Sequence, residues 1–456
     1  MKAPTFYHIT DLHLYAADEI GSYGKYYDLK AQMDQKCMKE SCAIIDGAFA
    51  EMAADKETDV VIVSGDLTFD GEKASHDLLL QKLQTLKDAG KRVYLTTATH
   101  DYNKHALGFT DQGTFKVEQY PREKLRELYA DYGWQEAVAE HKPSFSYAVK
   151  IFPGWRFLML NDDGDGEAFC GFYDDLLTWV KAQVREADEQ GEKVIAVTHH
   201  PLLPPTKIYP IFSHRDMLGG YETTAPMFAD IGIKYVFTGH THMQSITHLD
   251  TVRGNRLYHI NTGSITGHPA PYRKVTIETD GLDVKTCNLQ SFDWDLGGKT
   301  VDQYMKDHFT FMLNDIFDSM ENNIDHFKEL AKGFSMDAKT VDRLRPLIRM
   351  LGKMINGVTF KGLAKMFFVS NKVDPAAANI KVRDFMIELI SNMYSGIRQF
   401  PPTSKEYRSF MPIVKRIGKV IRLTDYYGVK VELSDLFDDL LYNVGAFDNT
   451  NAFLPF

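Results

Sequence analysis

The chain has 456 residues, 44% apolar and 25% charged, a balance that excludes a disordered or collagen-like polypeptide and leaves room for two or three domains. No run approaches the ~18 to 20 consecutive apolar residues of a membrane span, and the opening MKAPTFYHIT carries no apolar signal region. A soluble, cytoplasmic protein without a membrane span is therefore expected, a mature form that has lost a leader staying open. Four scattered cysteines, Cys37, Cys42, Cys170 and Cys287, exclude a disulfide framework and a Cys-type zinc site. The net charge of −10 argues against a nucleic-acid polymer as partner. It is unevenly spread: residues 1–299 carry −12, whereas 339–422 hold 17 basic and 5 acidic side chains.

From the start to about residue 290 the pattern alternates strand and helix, the signature of an α/β domain. Strands are expected at Thr5–Thr10, Asp59–Ser64, Arg92–Thr97, Trp155–Asn161, Lys193–Thr198 and Lys234–Thr238, several apolar throughout as in a sheet covered on both faces. Ser144–Lys150, Arg256–Asn261 and Tyr272–Glu278 alternate polar and apolar side chains with no long helix between neighbours, which predicts antiparallel pairing. A mixed sheet, or two sheets packed face to face, follows for a domain of residues 1–295. Beyond it Met305, Phe309, Met312, Ile316 and Met320 recur at helical spacing, as do Leu344, Leu347, Leu351 and Met354, then Phe385, Leu389 and Met393. Residues 296–456 are thus expected to form an all-helical second domain.

Five apolar runs of the first domain end in residues that bind metals or move protons. FYHIT leads to Asp11 and His13, VVIVSG to Asp66, VYLTTAT to His100 and Asp101, VIAVT to His199 and His200, and YVFTG to His240 and His242. Ligands of open α/β sheets bind beyond the carboxyl ends of the strands, so residues spread along the chain can converge there. Imidazoles gathered with carboxylates call for a divalent metal, which neutralises the carboxylates and uses the imidazole lone pairs. Residues at i and i+2 on an extended chain point the same way, so Asp11 with His13, and His240 with His242, can approach a metal together.

The ordered set D-x-H, GD, a block ending HD, HHP and GHTH resembles the calcineurin-like metallophosphoesterase superfamily over residues 5 to about 265. The resemblance implies a four-layer α-β-β-α sandwich with a two-metal centre at its edge. By position, Asp11, His13 and His242 would hold one metal, His199 and His240 the other, and Asp66 would bridge them. His100 would be the proton donor or charge stabiliser, with Asp101 orienting it. Two positions depart from family patterns. The sequence reads Ala98-Thr99-His100-Asp101 where most members have a GNHD or GNHE block, so the shorter Thr99 hydroxyl replaces an amide ligand, with Asn103 a further substitute. Phe69 stands where purple acid phosphatases carry a tyrosine, which excludes that branch.

The resemblance further implies two divalent or trivalent ions, drawn from Mn, Fe, Zn, Co or Ni, roughly 3.5–4 Å apart, that activate water for in-line attack on phosphorus. The expected partner is a small-molecule phosphate ester. A phosphodiesterase acting on compounds such as cyclic nucleotides is the favoured reading, since some bacterial enzymes of the superfamily are similar in carrying helices after the catalytic domain. The alternatives are a phosphomonoesterase and, from another class, a non-catalytic binding or scaffold protein with a decayed second site. His200 and His268 are the candidate substrate-binding residues. The Tyr-rich stretch 14–30 and the basic segment 339–422 are further features that could shape specificity, while Asn161–Gly166 (NDDGDG) lacks the Glu of a calcium loop and reads as a turn.

Overall fold

The computed structural model describes residues 3–456 apart from 103–104, 165–168, 332–336, 422, 426, 443–446 and the side chain of Phe212. Asn103, the last two residues of the expected NDDGDG turn and the last residue of the basic segment therefore lie outside the described residues. The chain folds into two compact units. One comprises Met1–Pro205, Arg215–Met305 and Phe447–Phe456, the other Thr206–His214 and Lys306–Ala446.

The first unit is built on two sheets. In one, the strands run in the order Asn451–Pro455, Gly281–Asn288, Pro271–Ile277, Thr5–Ile9, Val60–Ser64 and Arg92–Thr96. The other runs Ser245–Asp250, Arg256–Asn261, Tyr235–Thr238, Lys193–Val197, Trp155–Met159, Ser146–Phe152 and Ala139–His141. Phe6 of the first sheet meets Phe157 and Phe237 of the second edge-on, with ring centroids 5.5 and 5.4 Å apart, so the sheets pack face to face around a shared aromatic core. Helices cover the remaining faces. Lys73–Asp88 packs on Arg92–Thr96, and helices Asp174–Glu189 and Tyr221–Ile231 pack on Lys193–Val197 and Arg256–Asn261. This is the expected four-layer α-β-β-α order, and it explains why Val60–Ser64 is buried at every position.

The pairing of one strand differs from expectation. Arg256–Asn261 runs parallel to Tyr235–Thr238 and antiparallel only to Ser245–Asp250. The chain makes this parallel connection through Ser245–Asp250 at the sheet edge instead of through a helix, so the lack of a long helix between neighbours did not imply antiparallel pairing throughout.

The second unit is dominated by helices, among them Ala338–Gly357, Phe360–Met366, Val382–Ser395 and Lys405–Gly418, with a short hairpin of Leu423–Thr424 and Lys430–Val431. Phe385 anchors its core, 4.9 Å from both Phe360 and Phe410. Helix Ala338–Gly357 buries Val341, Ile348 and Gly352, while Leu347 and Leu351 of the expected stripe are exposed. Gly352 lets the backbone come close on the buried side: a Cβ there would lie 2.8 Å from the Glu321 amide nitrogen. No helix among the described residues is long and apolar enough to cross a membrane.

Candidate metal centre

The parallel strands share one direction, so their carboxyl ends gather at one edge. Asp11 and His13 follow Thr5–Ile9, Asp66 follows Val60–Ser64, His100 follows Arg92–Thr96, His199 follows Lys193–Val197 and His240 follows Tyr235–Thr238. Backbone hydrogen bonds lace these turns together: Asp11 N–H to Gly65 O at 3.1 Å, His13 N–H to Asp66 O at 3.0 Å and Gly239 N–H to His199 O at 3.0 Å. The turns are strained. Of the eight described non-glycine residues with positive φ, five are Asp11, His13, Asp66, His240 and His242. Such conformations cost roughly 1–3 kcal/mol each and persist where the surrounding structure imposes them for function.

Two three-residue groups result, Asp11 with His13 and His242, and Asp66 with His199 and His240; within each, one ligand atom per residue lies within 4.8 Å of the others. The groups adjoin. Asp66 Oδ2 is 3.1 Å from His199 Nε2 and 3.7 Å from His13 Nε2, and His13 Nε2 is 3.1 Å from His242 Nε2.

The donor set of buried imidazoles and carboxylates fits cations. His199 Nδ1–H donates to the Ser64 carbonyl at 2.7 Å, which leaves Nε2 facing Asp66 Oδ2 at 3.1 Å; burial opposes a charged ring there, but Asp66 outweighs it and raises the His199 pKa to about 10. His242 repeats the arrangement: its Nδ1–H donates to Gln35 Oε1, and Nε2 lies 3.3 Å from Asp11 Oδ1. At both places an imidazole nitrogen faces a carboxylate oxygen, a contact that a proton or a metal cation between them satisfies. Fixing one imidazole nitrogen through a carbonyl is how metal-binding histidines are usually oriented. The electrostatics agree. Burial opposes the charge of Asp11 and Asp66, yet the surrounding imidazoles hold both carboxyls well below their ordinary value. Burial pushes His13 down to about 3, keeping its lone pairs available.

Thr99 is buried on the turn after Ala98, next to His100, whose N–H donates to Asp66 Oδ1 at 3.3 Å. His100 is partly exposed, and its Nδ1 lies 2.7 Å from the Phe69 carbonyl and 2.9 Å from Asp70 Oδ1. Both partners accept, so Nδ1 carries the hydrogen and Nε2 is left for chemistry. Partial burial works against a charged ring, but Asp66 and Asp70 outweigh it and raise the pKa of His100 above its ordinary value.

The orienting role expected of Asp101 is corrected by these contacts. Asp101 Oδ1 accepts from the Leu67 and Thr68 amides at 2.7 and 3.0 Å, and Oδ2 accepts from the Ala98 amide at 2.8 Å. A carboxylate saturated by loop amides ties the two turns together, and Asp70 is the one beside His100. His200 also departs from expectation as a substrate contact. It is buried, its Nδ1 lies 2.8 Å from Asp162 Oδ1, and its ring packs 4.2 Å from that of His240, beneath the centre rather than at its mouth. His268 stands outside both groups, buried, with Nδ1 3.7 Å from Asp302 Oδ1.

Three supporting residues were not singled out from sequence. Asp162 accepts from Thr198 Oγ1 at 2.6 Å, from the His199 and His200 amides at 3.0 and 2.7 Å and from the His200 ring, clamping the HHP turn. It too follows an apolar strand, Trp155–Met159, so the strand-end pattern that flagged the histidines contains it. Asp70 and Gln35 had no such signal. A cavity of about 690 Å³ beside Trp155, Lys193 and Tyr235 opens at the opposite ends of three strands and holds none of these residues.

A sandwich of two sheets with His and Asp side chains paired at the carboxyl ends of its strands defines a metallophosphoesterase. The family model described as calcineurin-like phosphoesterase matches residues 4–244, more than half of the chain, and the chain belongs to that family. A relative from Moraxella catarrhalis (strain BBH18), named probable cyclic nucleotide phosphodiesterase, is 28% identical over 145 residues, 31% of this chain and 44% of the relative. The match thus spans less than half of that relative's length. Among solved structures, a dimetal phosphatase from Danio rerio is similar with a TM-score of 0.47 and 14% identity, over 64% of this chain and 98% of that one. The purple acid phosphatase from yellow lupin (Lupinus luteus) seeds gives a TM-score of 0.40 and 13% identity, over 63% of this chain and 51% of the other.

Proposed function

We propose that this chain is a metal-dependent phosphodiesterase that hydrolyses small phosphodiesters such as cyclic nucleotides. In this reading Asp11, His13 and His242 hold one divalent ion, His199 and His240 hold a second, Asp66 serves both, and the Thr99 hydroxyl is a further ligand. The observation that carries it is the pair of adjoining three-residue groups, Asp11, His13 and His242 beside Asp66, His199 and His240, in which imidazole nitrogens face carboxylate oxygens at 3.1 and 3.3 Å. Family membership makes the chain a phosphoric ester hydrolase by kinship; the preference for diesters is supported by the name of the Moraxella relative.

When bound, divalent ions activate water for attack on phosphorus and neutralise phosphoryl charge. The chain's own residues do the rest. The Phe69 carbonyl and Asp70 hold the Nδ1–H of His100, which turns Nε2 outward to give a proton to the departing oxygen. Asp162 and Asp101 immobilise the turns that carry His199 and His100, so little reorganisation remains for the reaction.

The test is hydrolysis of bis-p-nitrophenyl phosphate beside p-nitrophenyl phosphate by protein loaded with Mn, Zn, Fe, Ni or Co, with bound metal quantified. Two equivalents of metal and preferential cleavage of the diester are expected. A clear preference for the monoester would overturn the diesterase assignment, and failure to retain metal would overturn the centre.

A further inference from the structure

The segment between the first helices carries a cation whose hydrogen-bonding capacity the chain itself does not use. Residues 34–37 lie against the metal centre on two sides. Gln35 bonds the His242 ring, and the Lys36 ammonium sits 4.7 Å above the Phe69 ring. Phe69 in turn is 6.4 Å from the His13 ring and offers its carbonyl to His100. Lys36 is held in place by its own backbone, which donates to Asp34 Oδ1 and bridges Gly267, and by the neighbouring Cys37 amide, bonded to the Thr266 carbonyl at 2.7 Å.

The Lys36 side chain is 12% exposed, with its stem packed and its ammonium at the surface. Its closest carboxylate oxygen, Asp34 Oδ1, is 3.4 Å away, and its ammonium forms no hydrogen bond among the described residues. The other oxygen of Asp34 is bound more tightly by Lys30, at 2.7 Å. A lysine carries three donors, and those of Lys36 lie over the ring of Phe69, whose carbonyl holds His100. A partly buried lysine with open donors beside the candidate metal centre matches an oxyanion, which its ammonium binds as a point charge.

We propose that Lys36 is a substrate-contacting residue whose ammonium binds a nonbridging oxygen of the substrate's phosphoryl group, on the side of the centre that carries His100. The inference rests on the hydrolase reading for its substrate but not for its ligand, because inorganic phosphate presents the same oxygens.

The test uses the full chain loaded with metal, as wild type and as Lys36→Met, Lys36→Gln and Lys36→Arg. Phosphate binding is read by titration calorimetry, KM and kcat with bis-p-nitrophenyl phosphate, and metal content in parallel. Loss of a hydrogen bond to a charged group should weaken phosphate binding by about ten- to a hundredfold in the Met and Gln variants. KM should rise, metal content should stay unchanged, and Arg should restore part of the affinity. Phosphate affinity and KM within about twofold of wild type in whichever of the two neutral variants folds would overturn the proposal, as would a loss that tracks loss of metal and that Arg does not relieve. Wild-type protein that binds no phosphate would also overturn it. The two readings fail separately: turnover with phosphate affinity indifferent to Lys36 refutes this inference alone, and Lys36-dependent phosphate binding without turnover refutes the hydrolase alone.

Discussion

Replacing Asp162 by alanine isolates the clamp beneath the HHP turn. The carboxylate is fully buried and accepts four hydrogen bonds, two of them from backbone amides that have no solvent to fall back on. A buried donor left unsatisfied costs about 1–3 kcal/mol. Four such donors at the lower figure, with partial relief by entering water, give a loss of about 3–4 kcal/mol. The same contacts can be weighed through the carboxyl's proton affinity. Burial opposes its charge, but His200 outweighs that and lowers the Asp162 pKa from 3.8 to about 2, worth about 2–3 kcal/mol. Because the folded-state pKa is depressed, this stability is present above the unfolded value of 3.8 and is lost as the pH falls through 2. Urea unfolding of metal-free protein at pH 7 should therefore show Asp162→Ala less stable by about 2–4 kcal/mol. Metal titration should show the site of His199 and His240 weakened about ten- to a hundredfold, as for other residues that orient metal-binding histidines. A loss below about 1 kcal/mol with both metal affinities unchanged would refute the clamp.

Three further outcomes follow from the same geometry. Asp70→Asn should leave metal content intact but slow esters with poor leaving groups about tenfold more than activated aryl esters; equal losses for both would show that Asp70 does not act through His100. Burial, reinforced by Asp70, pushes the Glu72 carboxyl up from 4.5 to about 7, so the folded chain keeps a proton that the unfolded chain has released. Stability should fall by about 3 kcal/mol as the pH rises from 4.5 to 7. Glu72→Gln should remove that decline, measured by denaturant unfolding at pH 5 and 8, and an unaltered pH dependence would show that Glu72 does not cause it. At Gly239 an added Cβ would drive into Thr10 Oγ1 and Asp11 Oδ2, so Gly239→Ala should displace the Asp11 carboxylate and lose metal, with a destabilisation of about 1–3 kcal/mol. Metal stoichiometry equal to wild type would contradict so close an approach.

The parts of this fold that were legible in sequence are those where one residue type has one physical use. VVIVS and KVIAV read as strands because only a doubly covered sheet tolerates such runs, and both are central strands. The ligand candidates were legible because His and Asp follow each run at the same end. The supporting contacts were not. Asp70 and Asp101 both lie close in sequence to His100 or Asp66, and only the path of the turns decides which carboxylate faces the imidazole and which collects loop amides. The strand Asn451–Pro455 was equally hidden: its partner, Gly281–Asn288, lies some 170 positions earlier in the chain, and NAFLP has no periodicity long enough to signal it.

What the sequence conceals most completely is the strain at the centre. Asp and His enter the left-handed region more readily than most non-glycine residues, but residue type alone does not say that Asp11, His13, Asp66, His240 and His242 adopt it. The turns can be held in that state because each is bonded to another: Asp11 to Gly65, His13 to Asp66, and the His240 amide to Asp11 at 3.0 Å from Oδ2. The same lacing keeps the imidazole nitrogens facing carboxylates across 3.1 and 3.3 Å, where relaxed turns would let them part. The backbone thus fixes the positions of the candidate ligands in advance.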